Sequence, residues 1–308
     1  MAVPSSGAVS LAGIRAEIAT NTYNASATTT SSLEDLSDGT TATINTANDA
    51  ADRPDGSAPH AMSEFYAYDH DLSGFSDNKS FDFDGTNDFL HFSGGNIGTD
   101  LEALGSVSMW VKLDSMSTNG LMWQIHAEEG TDNQLFILWN NAAGVIRGNV
   151  KLGGTANLVD SGAGLENDGN WHHVVMTWMS NDARTAANNI VRLYIDGSQT
   201  DTDAIGNTWD DGAGHTGFTI GKNNIQNNAF FNGHMNDIAF FSDVLSSSEV
   251  TAIYNEGAPK DESDHSGLIA YYTMEAYSDN DTTLADDSGN SKTLQINNNT
   301  NIDSSDTP

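Results

Sequence analysis

The sequence predicts an all-β fold, an antiparallel sandwich that follows a long N-terminal arm. From residue 75 onward, apolar and polar residues alternate in short segments, and turns rich in Gly, Asn and Asp separate these segments at intervals of roughly 10–20 residues. The first 60 residues differ, because they contain one aromatic residue, Tyr23, and are dominated by Ser, Thr and Ala. Such a segment has little apolar surface to offset the entropy of ordering the chain. We therefore separate an arm, residues 1–70, from the sandwich.

The strand prediction begins at FDFDGTNDFLHF, which places Phe81 and Phe83 on one face, turns at DGTND and then resumes. SVSMWVKL alternates in the same way, and LMWQIHAE is expected to pair with NQLFILWNN across an acidic loop. IVRLYIDGSQT ends in Asp196-Gly197, a dipeptide suited to a type I′ hairpin turn. In this part of the chain SSSEVTAIYNEG alone reads as a helix, with Ser246 among its candidate caps.

The arm contains two short apolar patches in an otherwise polar sequence. Ser10 is a candidate N-cap for a first helix, and Ser63 is a candidate cap for a single later turn. The patches are Leu11, Ile14 and Ile18 in the first segment and Phe65, Tyr66 and Tyr68 in the second. The stretch between them reads as loop or extended chain. We interpret the patches as assembly contacts that order against a partner subunit; the alternative is a disordered tail.

The charge of the chain excludes several functions. Asp and Glu number 43 against 11 Lys and Arg, which gives a formal net charge of −32. Binding to nucleic acid and docking on an anionic membrane both need clustered basic residues, so we expect neither. No stretch approaches the ~20 apolar residues of a membrane-spanning helix, and the N-terminus does not read as a signal peptide. The absence of Cys excludes disulfides and thiolate zinc sites.

Six motifs, in order, resemble the laminin-G-like branch of the concanavalin A-like lectin/glucanase fold. They are FDFDGTNDFLHF, SVSMWVKL, DGNWHHVVMTW, VRLYIDGSQ, FTIGKNN and FFNGHMNDIAFFSDVLSSSEVTAIYN. The resemblance implies a jelly-roll sandwich over residues 71–257, a fold used for glycan or protein binding and sometimes for glycan cleavage. It also implies that Trp171 is a core anchor. Residues 258–308 match a motif that usually opens such a domain, and we expect them to complete or edge the sandwich.

The arm carries a second resemblance. MAVPSSGAVSLAGIRAEI and PHAMSEFYAYDH are similar to opening segments of tailed-bacteriophage virion proteins. This resemblance implies a virion structural protein whose arm attaches to the particle, with other virion proteins and further copies of the chain as partners. It also implies an extracellular location in the particle, which does not require a signal peptide.

The sequence does not predict catalysis. Glucanases of this fold carry paired acids in an E-x-D-x-x-E string, which does not occur here. Asp82 and Asp84 have the spacing of a same-face pair, but they alternate with Phe residues that we expect to be buried. His172 and His173 are adjacent, so on a strand they point to opposite faces and cannot chelate a metal together.

Binding residues are hypothesised at two places. A structural calcium ion would take oxygen ligands from the turn that ends at Asp88 and from Asp237 at a strand entry; the alternative is that both are hydrogen-bond acceptors in turns. A glycan site needs an exposed aromatic platform beside amides and carboxylates. Its candidates are Trp209, Asp210, Asp211, Asn223 and Asn224.

These inferences together predict a non-enzymatic phage structural protein, a capsid or tail decoration whose lectin-like domain contacts host glycans. The alternatives are a secreted or surface carbohydrate-binding module of a bacterium and a glycan-cleaving enzyme of the same fold. The first alternative differs from the prediction in the role of the arm, and the second in the presence of catalytic carboxylates.

Overall fold

The computed structural model describes residues 3–308 with internal gaps. The residues outside the description are 1–2, 5–7, 21–22, 24, 26–30, 46–47, 49–52, 67, 69, 71–77, 93–100, 102, 126–133, 181–188, 207–216, 224–228, 264, 276, 279–280, 298–301 and 304–305. The chain divides into two compact units, Met1–Ser76 and Asp77–Pro308. None of the helices described is long and apolar enough to cross a membrane.

The N-terminal unit contains helix α1, Leu11–Thr20, helix α2, Leu33–Ser37, and a 3₁₀ turn, Met62–Phe65. The predicted cap of α1 is confirmed, because the Ser10 hydroxyl accepts a hydrogen bond from the N–H of Gly13. The predicted cap of the later turn is wrong. Ser63 lies inside that turn, and the carboxylate of Glu64 instead accepts the N–H of Ala61, the residue before the turn.

Five of the six residues of the predicted patches belong to one small core. Ile14, Phe65 and Tyr68 are fully buried there, Ile18 is nearly so, and Leu11 packs against the cluster half-buried, as does Tyr23. Tyr66 is half-buried outside this cluster. The stretch between the patches was predicted as loop, whereas it contains α2, whose Leu36 completes the core. The patches are therefore packed within their own unit, and their role in assembly stays a prediction.

The second unit is a β-sandwich with one further helix, α3, Ser247–Tyr254. The strands are β1 Ser80–Asp84, β2 Phe89–Phe92, β3 Leu104–Leu113, β4 Gly120–Ile125, β5 Gln134–Asn140, β6 Val145–Leu152, β7 Thr155–Asp160, β8 His172–Met179, β9 Ile190–Ile195, β10 Ser198–Ala204, β11 Phe218–Ile220, β12 Asn232–Phe241, β13 Leu268–Tyr272, β14 Thr283–Leu284, β15 Leu294–Asn297 and β16 Ile302–Asp303.

Over the described residues, these strands form two antiparallel sheets of eight. Sheet A has the order β10-β9-β8-β3-β12-β1-β16, with β13 also paired to β12, and sheet B has the order β14-β15-β2-β11-β4-β5-β6-β7. The core lies between the sheets and contains the predicted alternating residues, such as Phe81 and Phe83 on β1 and Val107 and Met109 on β3. The predicted fold class, a concanavalin A-like jelly-roll sandwich after an arm with short helices, is confirmed.

Strands after residue 258 belong to both sheets. In sheet A, β13 pairs with β12 and β16 pairs with β1, while in sheet B β15 pairs with β2. Tyr272 and Leu294 from this segment lie in the central core. The C-terminal residues therefore supply strands and core side chains to the sandwich.

The outer face of sheet A is partly covered by α3. The helix begins after Ser246, one of the predicted candidate caps, which forms a capping box with Glu249. Tyr254 of the helix stacks on Trp110 with ring centroids 5.8 Å apart. Trp123, Trp139 and Trp178 are in the core, whereas Trp110 is buried on this outer face.

The prediction that Trp171 is a core anchor is wrong. Trp171 precedes β8 and is half-buried, and its indole N–H donates to the Asp306 carboxylate at 2.9 Å. The resemblance correctly located the strand that follows this residue, but the C-terminal strand β16, which brings Asp306 near Trp171, changes the surroundings of the indole.

Candidate functional site

The outer face of sheet B contains a row of polar and aromatic side chains that crosses the strands. Phe92, Phe218 and Ile125 point into the core, so their neighbours His91 on β2, Thr219 on β11 and Gln124 on β4 point outward. The strand register extends this row in both directions. In spatial order the row is Gln295, His91, Thr219, Gln124, Phe136, Asn149 and Leu158.

Two polar atoms of this row are buried without a hydrogen-bond partner. Thr219 is 0% exposed and Asn149 is 4% exposed, and neither the Thr219 Oγ1 nor the Asn149 Oδ1 has a partner in the structure of the described residues. A buried polar atom without a partner costs about 1–3 kcal/mol. The row therefore contains hydrogen-bonding capacity that the protein itself does not use.

The apolar members of the row are accessible to different degrees. Phe136 is half-buried, and Leu158 at the far end is 39% exposed, which is high for a large apolar side chain in a folded domain. On the neighbouring row Phe89 is also half-buried. Apolar surface and unpaired polar atoms thus occur side by side, which is the usual composition of a small-molecule or saccharide site.

Lys222 follows β11 and lies against the same face. Its ammonium nitrogen sits 3.9 Å from the ring centroid of Phe89, the geometry of a cation–π contact. Lys222 is only 8% exposed, and burial lowers its pKa. Within the part of the chain described, no carboxylate forms an ion pair with it, and no acceptor forms a hydrogen bond with it.

His91 lies beside Lys222 and is positioned by β15. Its Nδ1 accepts a hydrogen bond from the Asn297 amide at 2.8 Å. Burial, and then the charge of Lys222, lower the pKa of His91, so the ring is neutral at pH 7. A neutral ring that accepts at Nδ1 has its proton on Nε2. His91 therefore offers an N–H donor next to the Lys222 ammonium.

Among the described residues, the charge of this face is opposite to that of the whole chain. Its strands and the residue after β11 contribute Arg147, Lys151 and Lys222, whereas Asp160 is the only carboxylate among the described strand residues that point outward. Asp160 forms a bidentate ion pair with Arg147, with nitrogen–oxygen distances of 2.7 and 2.8 Å. The unpaired charge left on the described part of this face is thus positive, in a chain of net charge −32.

The predicted glycan residues fall mostly outside the described residues. Trp209, Asp210, Asp211 and Asn224 lie in the ranges 207–216 and 224–228. Asn223 is described: it directly follows Lys222 and is half-buried. The prediction for these residues therefore stays a prediction, and the structure adds the row on sheet B.

The two predicted calcium ligands lie at different places in the sandwich. Asp88 is 6% exposed, and its Oδ2 accepts the N–H of Asp84 at 3.1 Å across the predicted turn. Burial, followed by the charges of Asp84 and Asp82, raises the pKa of Asp88 to about 6. Asp237 lies within β12 at a φ of 52° and accepts the hydroxyl of Tyr271 at 2.5 Å.

Within the described ranges, no three His, Asp or Glu side chains converge as a metal site would require. The structure thus gives Asp88 and Asp237 separate roles as hydrogen-bond acceptors. It does not bring them together, and calcium binding stays a prediction.

The adjacent histidines point to opposite faces, as predicted. His173 contacts Ser108 through Nε2 at 2.8 Å on the outer face of sheet A. His172 bridges Asp196 and Asp168, with nitrogen–oxygen distances of 2.9 and 3.0 Å. The hydrogen bond to Asp196 is the main reason that the pKa of His172 is raised. Both histidines have structural partners.

Sequence reasoning missed the row on sheet B. Its members come from β2, β4, β5, β6, β7, β11 and β15, which are far apart along the chain. One signal was available, since FLHF and FTIGK both place a polar residue between core residues, and a lysine follows the second of these strands. Recognising that the two strands are neighbours required the sheet order.

A comparison with known protein families identifies the family to which the sandwich is similar. The family described as the concanavalin A-like lectin/glucanases superfamily matches residues 84–251, which is more than half of the 308 residues. A comparison with curated protein sequences finds no match.

Several solved structures share the fold. A proposed carbohydrate-binding protein from Bacteroides ovatus has a TM-score of 0.56 at 16% identity, covering 77% of this chain and 62% of that protein. The SAP-like pentraxin of Limulus polyphemus has a TM-score of 0.46 at 15% identity, with coverage of 60% and 87%. The carbohydrate-binding module CBM40 of the Ruminococcus gnavus IT-sialidase has a TM-score of 0.44 at 15% identity, with coverage of 57% and 96%.

At 16% identity, the likeness to the Bacteroides ovatus protein supports the fold and not the ligand, whereas the family match covers most of the sandwich. The match begins at the end of β1 and ends inside α3. It therefore includes the strands β2 to β12, which contribute most of the row on sheet B. The chain belongs to the concanavalin A-like lectin/glucanases superfamily.

Proposed function

We propose that the sandwich binds carbohydrate through the outer face of sheet B and does not cleave it. The observation that carries the proposal is the row across sheet B, in which the Phe136 ring is half-buried and the Gln295 amide is exposed, so that an aromatic ring and a polar group are both accessible. A sugar ring has an apolar face and hydroxyl groups that both donate and accept. Such a ligand can stack on the aromatic ring while its hydroxyl groups bond the exposed Gln295 amide at the end of the row.

The absence of catalysis is proposed from the carboxylates of the same face. A retaining glycosidase needs two carboxyl groups ~5–5.5 Å apart, and an inverting one needs them ~6.5–9.5 Å apart. Asp160, the carboxylate on the described strands of this face, is held in a bidentate pair by Arg147. Asp201 on β10 is adjacent, and its carboxylate accepts the backbone N–H of Asp160 at 2.9 Å. Both acids thus serve as hydrogen-bond acceptors within the protein.

Binding to immobilised polysaccharides and to a glycan array tests the proposal. We expect Phe136→Ala to weaken binding at least tenfold, and Phe136→Leu, which keeps apolar packing but removes the ring, to weaken it nearly as much. Gln199→Ala is the control, because Gln199 is exposed on β10 of the other sheet. Equal binding by all four proteins would exclude this face, and release of reducing sugar from the polysaccharides would exclude a purely binding role.

We also propose that the Met1–Ser76 unit attaches the sandwich to a phage particle, where further copies and other virion proteins are its partners. Two points support this: the likeness of the N-terminal segments to those of virion proteins, and a separate small core around Ile14 and Phe65. The alternative is a bacterial carbohydrate-binding module that is secreted or held at the cell surface.

Retention on purified particles separates these two functions. We expect the full chain to remain with the particles through density-gradient purification and a variant lacking residues 1–76 to be lost from them. Glycan binding by the truncated sandwich would be measured in parallel to show that it has folded. A truncated chain that still assembled on particles would contradict the attachment role.

A further inference from the structure

We propose that the ligand of the sheet B face is an acidic saccharide, a polysaccharide of uronic acid residues, and that Lys222 and His91 bind its carboxylate. This inference rests on the proposed carbohydrate-binding function of the same face and adds the class of ligand.

Among the residues that the structure describes, Lys222 has no counterion. A chain with 43 acidic residues has many carboxylates available for neutralising a lysine. Nevertheless, the ammonium of Lys222 rests on the Phe89 ring at 3.9 Å, 92% of the residue is buried, and no described side chain forms an ion pair with it. A buried charge is normally paired, because removing it from water is costly. The missing counterion is therefore expected from a ligand.

The other two cations on the described part of this face, Arg147 and Lys151, have their charge balanced or solvated. Arg147 has two of its donors occupied by Asp160, so it offers little to an anion. Lys151 is half-exposed, and water can solvate its ammonium. Lys222 differs from both, since it is neither paired with a carboxylate nor well solvated.

His91 places a second hydrogen-bond donor, its Nε2–H, next to Lys222. The His91 ring is fixed by Asn297, and its Nε2–H is directed away from that contact. A carboxylate has two oxygens, so one can accept from the Lys222 ammonium and the other from His91. Because His91 is neutral, it adds a donor without adding a second charge, which matches a group with a single negative charge.

The row also extends across several strands of sheet B, far enough for a saccharide chain. Gln295 on β15 is exposed and Phe136 on β5 is half-buried, and the two strands are four spacings apart, about 19 Å at the usual strand spacing. The Gln295 amide can donate to and accept from sugar hydroxyl groups, and the Phe136 ring can pack on the apolar face of a sugar. A chain of several sugar residues that crosses the strands can thus reach both ends. Densely sulfated glycans favour clustered Lys and Arg, whereas the cations of this face are single and spaced apart, so we assign the acid to a carboxylate.

Isothermal titration calorimetry with two matched probes tests the inference. The probes are oligogalacturonate and the same oligomer with its carboxyl groups methyl-esterified. We expect Lys222→Met to weaken binding of oligogalacturonate about 10- to 100-fold, the loss typical of a hydrogen bond to a charged group. The methyl ester is expected to bind more weakly than the acid and to be indifferent to this substitution.

Lys151→Met is the matched control, because it removes the same charge from the same face. We expect it to change oligogalacturonate affinity less than threefold. Lys222→Arg, which keeps the charge, provides a second variant if Lys222→Met unfolds, and we expect it to retain most of the affinity. Near-ultraviolet circular dichroism of each variant verifies that the sandwich has kept its packing.

The outcomes separate the inference from the proposed function. Equal losses in Lys222→Met and Lys151→Met, equal affinity of the wild type for both probes, or tighter Lys222-dependent binding of dextran sulfate would overturn the carboxylate assignment. Each of these still leaves a carbohydrate-binding face, which the Phe136 variants test on their own. If the wild type bound neither probe and no glycan of the array, the proposed function would fail, and the inference would fail with it.

Discussion

The buried contact between Tyr271 and Asp237 gives the most direct prediction about stability. The Tyr271 hydroxyl donates to the Asp237 carboxylate at 2.5 Å and lies 3.1 Å from the carbonyl oxygen of Lys260. Both side chains are almost fully buried. Burial, together with the charge of Asp237, raises the pKa of Tyr271, so the hydroxyl keeps its proton. We therefore expect Tyr271→Phe to remove a charge-assisted hydrogen bond.

The magnitude follows from the kind of hydrogen bond. Hydrogen bonds to charged groups contribute about 1.5–3 kcal/mol, against about 0.5–1.5 kcal/mol for neutral ones. The adjacent Tyr272 is the matched control, since its hydroxyl donates to a neutral acceptor, the carbonyl oxygen of Lys292, at 2.6 Å. At roughly 2–4 °C per kcal/mol for a unit of this size, we expect Tyr271→Phe to lower the Tm by about 4–8 °C and Tyr272→Phe by about half as much.

Differential scanning calorimetry and urea unfolding of both variants measure the difference. Each substitution removes one hydroxyl from a buried ring, so the loss of packing is similar in the two variants. Equal destabilisation would refute the reasoning, because it would mean that the charge of Asp237 adds nothing to the bond.

Two ionisable groups give predictions about pH. Hydrogen bonds that the His172 ring donates to Asp196 and Asp168 raise the pKa of His172 above its unfolded value. Their stabilisation is therefore fully present below about pH 6.5 and is lost as the pH rises through the folded pKa. We expect the advantage of the wild type over His172→Gln in urea unfolding to shrink from about pH 5.5 to 8.5. The pKa of Asp88 is raised to about 6, so its favourable contribution is present below its unfolded pKa and is lost as the pH rises through about 6. We expect Asp88→Asn to be at least as stable as the wild type near pH 7.5, unless calcium binds.

Controls for these predictions use the same measurements. An advantage over His172→Gln that stayed constant across the pH range would mean that the ion pairs do not contribute. Millimolar calcium that raised the Tm of the wild type but not that of Asp88→Asn would support the predicted calcium site. The same rise in both proteins would exclude Asp88 as a ligand.

The fold was predictable because its signals are local. Alternation in β1 and β3 fixes which side chains face the core, and the Asp196-Gly197 dipeptide sets a hairpin turn, where the structure has φ values of 50° and 73°. The capping box at Ser246 is likewise contained within four residues. Each of these features depends on neighbours in the chain, so no knowledge of the sheet order was needed.

The features missed from the sequence depend on distant contacts. Helix α2 has five residues, too few for a helical period to be recognised, and its stability comes from packing Leu36 on the core of its unit. The Trp171 indole donates a hydrogen bond to Asp306, which lies 135 residues later in the chain. Similarly, the site on sheet B exists because β11 lies between β2 and β4, which brings Lys222 onto Phe89 and beside His91.

An acidic ligand and a chain of net charge −32 repel each other at long range, although the ligand has to reach the positive Lys222. The long-range field of the protein repels such a ligand, while Lys222 attracts it at contact. Added salt screens interactions beyond a Debye length, about 30 Å at 0.01 M and about 8 Å at 0.15 M, and so weakens the repulsion more than the contact. We therefore expect oligogalacturonate to associate faster at 0.15 M than at 0.01 M salt, the reverse of ordinary steering between opposite charges. Stopped-flow measurement of the association rate at the two salt concentrations tests this. The methyl ester is the control, and its association rate is expected not to change. A slower association of oligogalacturonate at 0.15 M salt would contradict the expectation, because it would show that attraction by Lys222 outweighs the repulsion by the net charge.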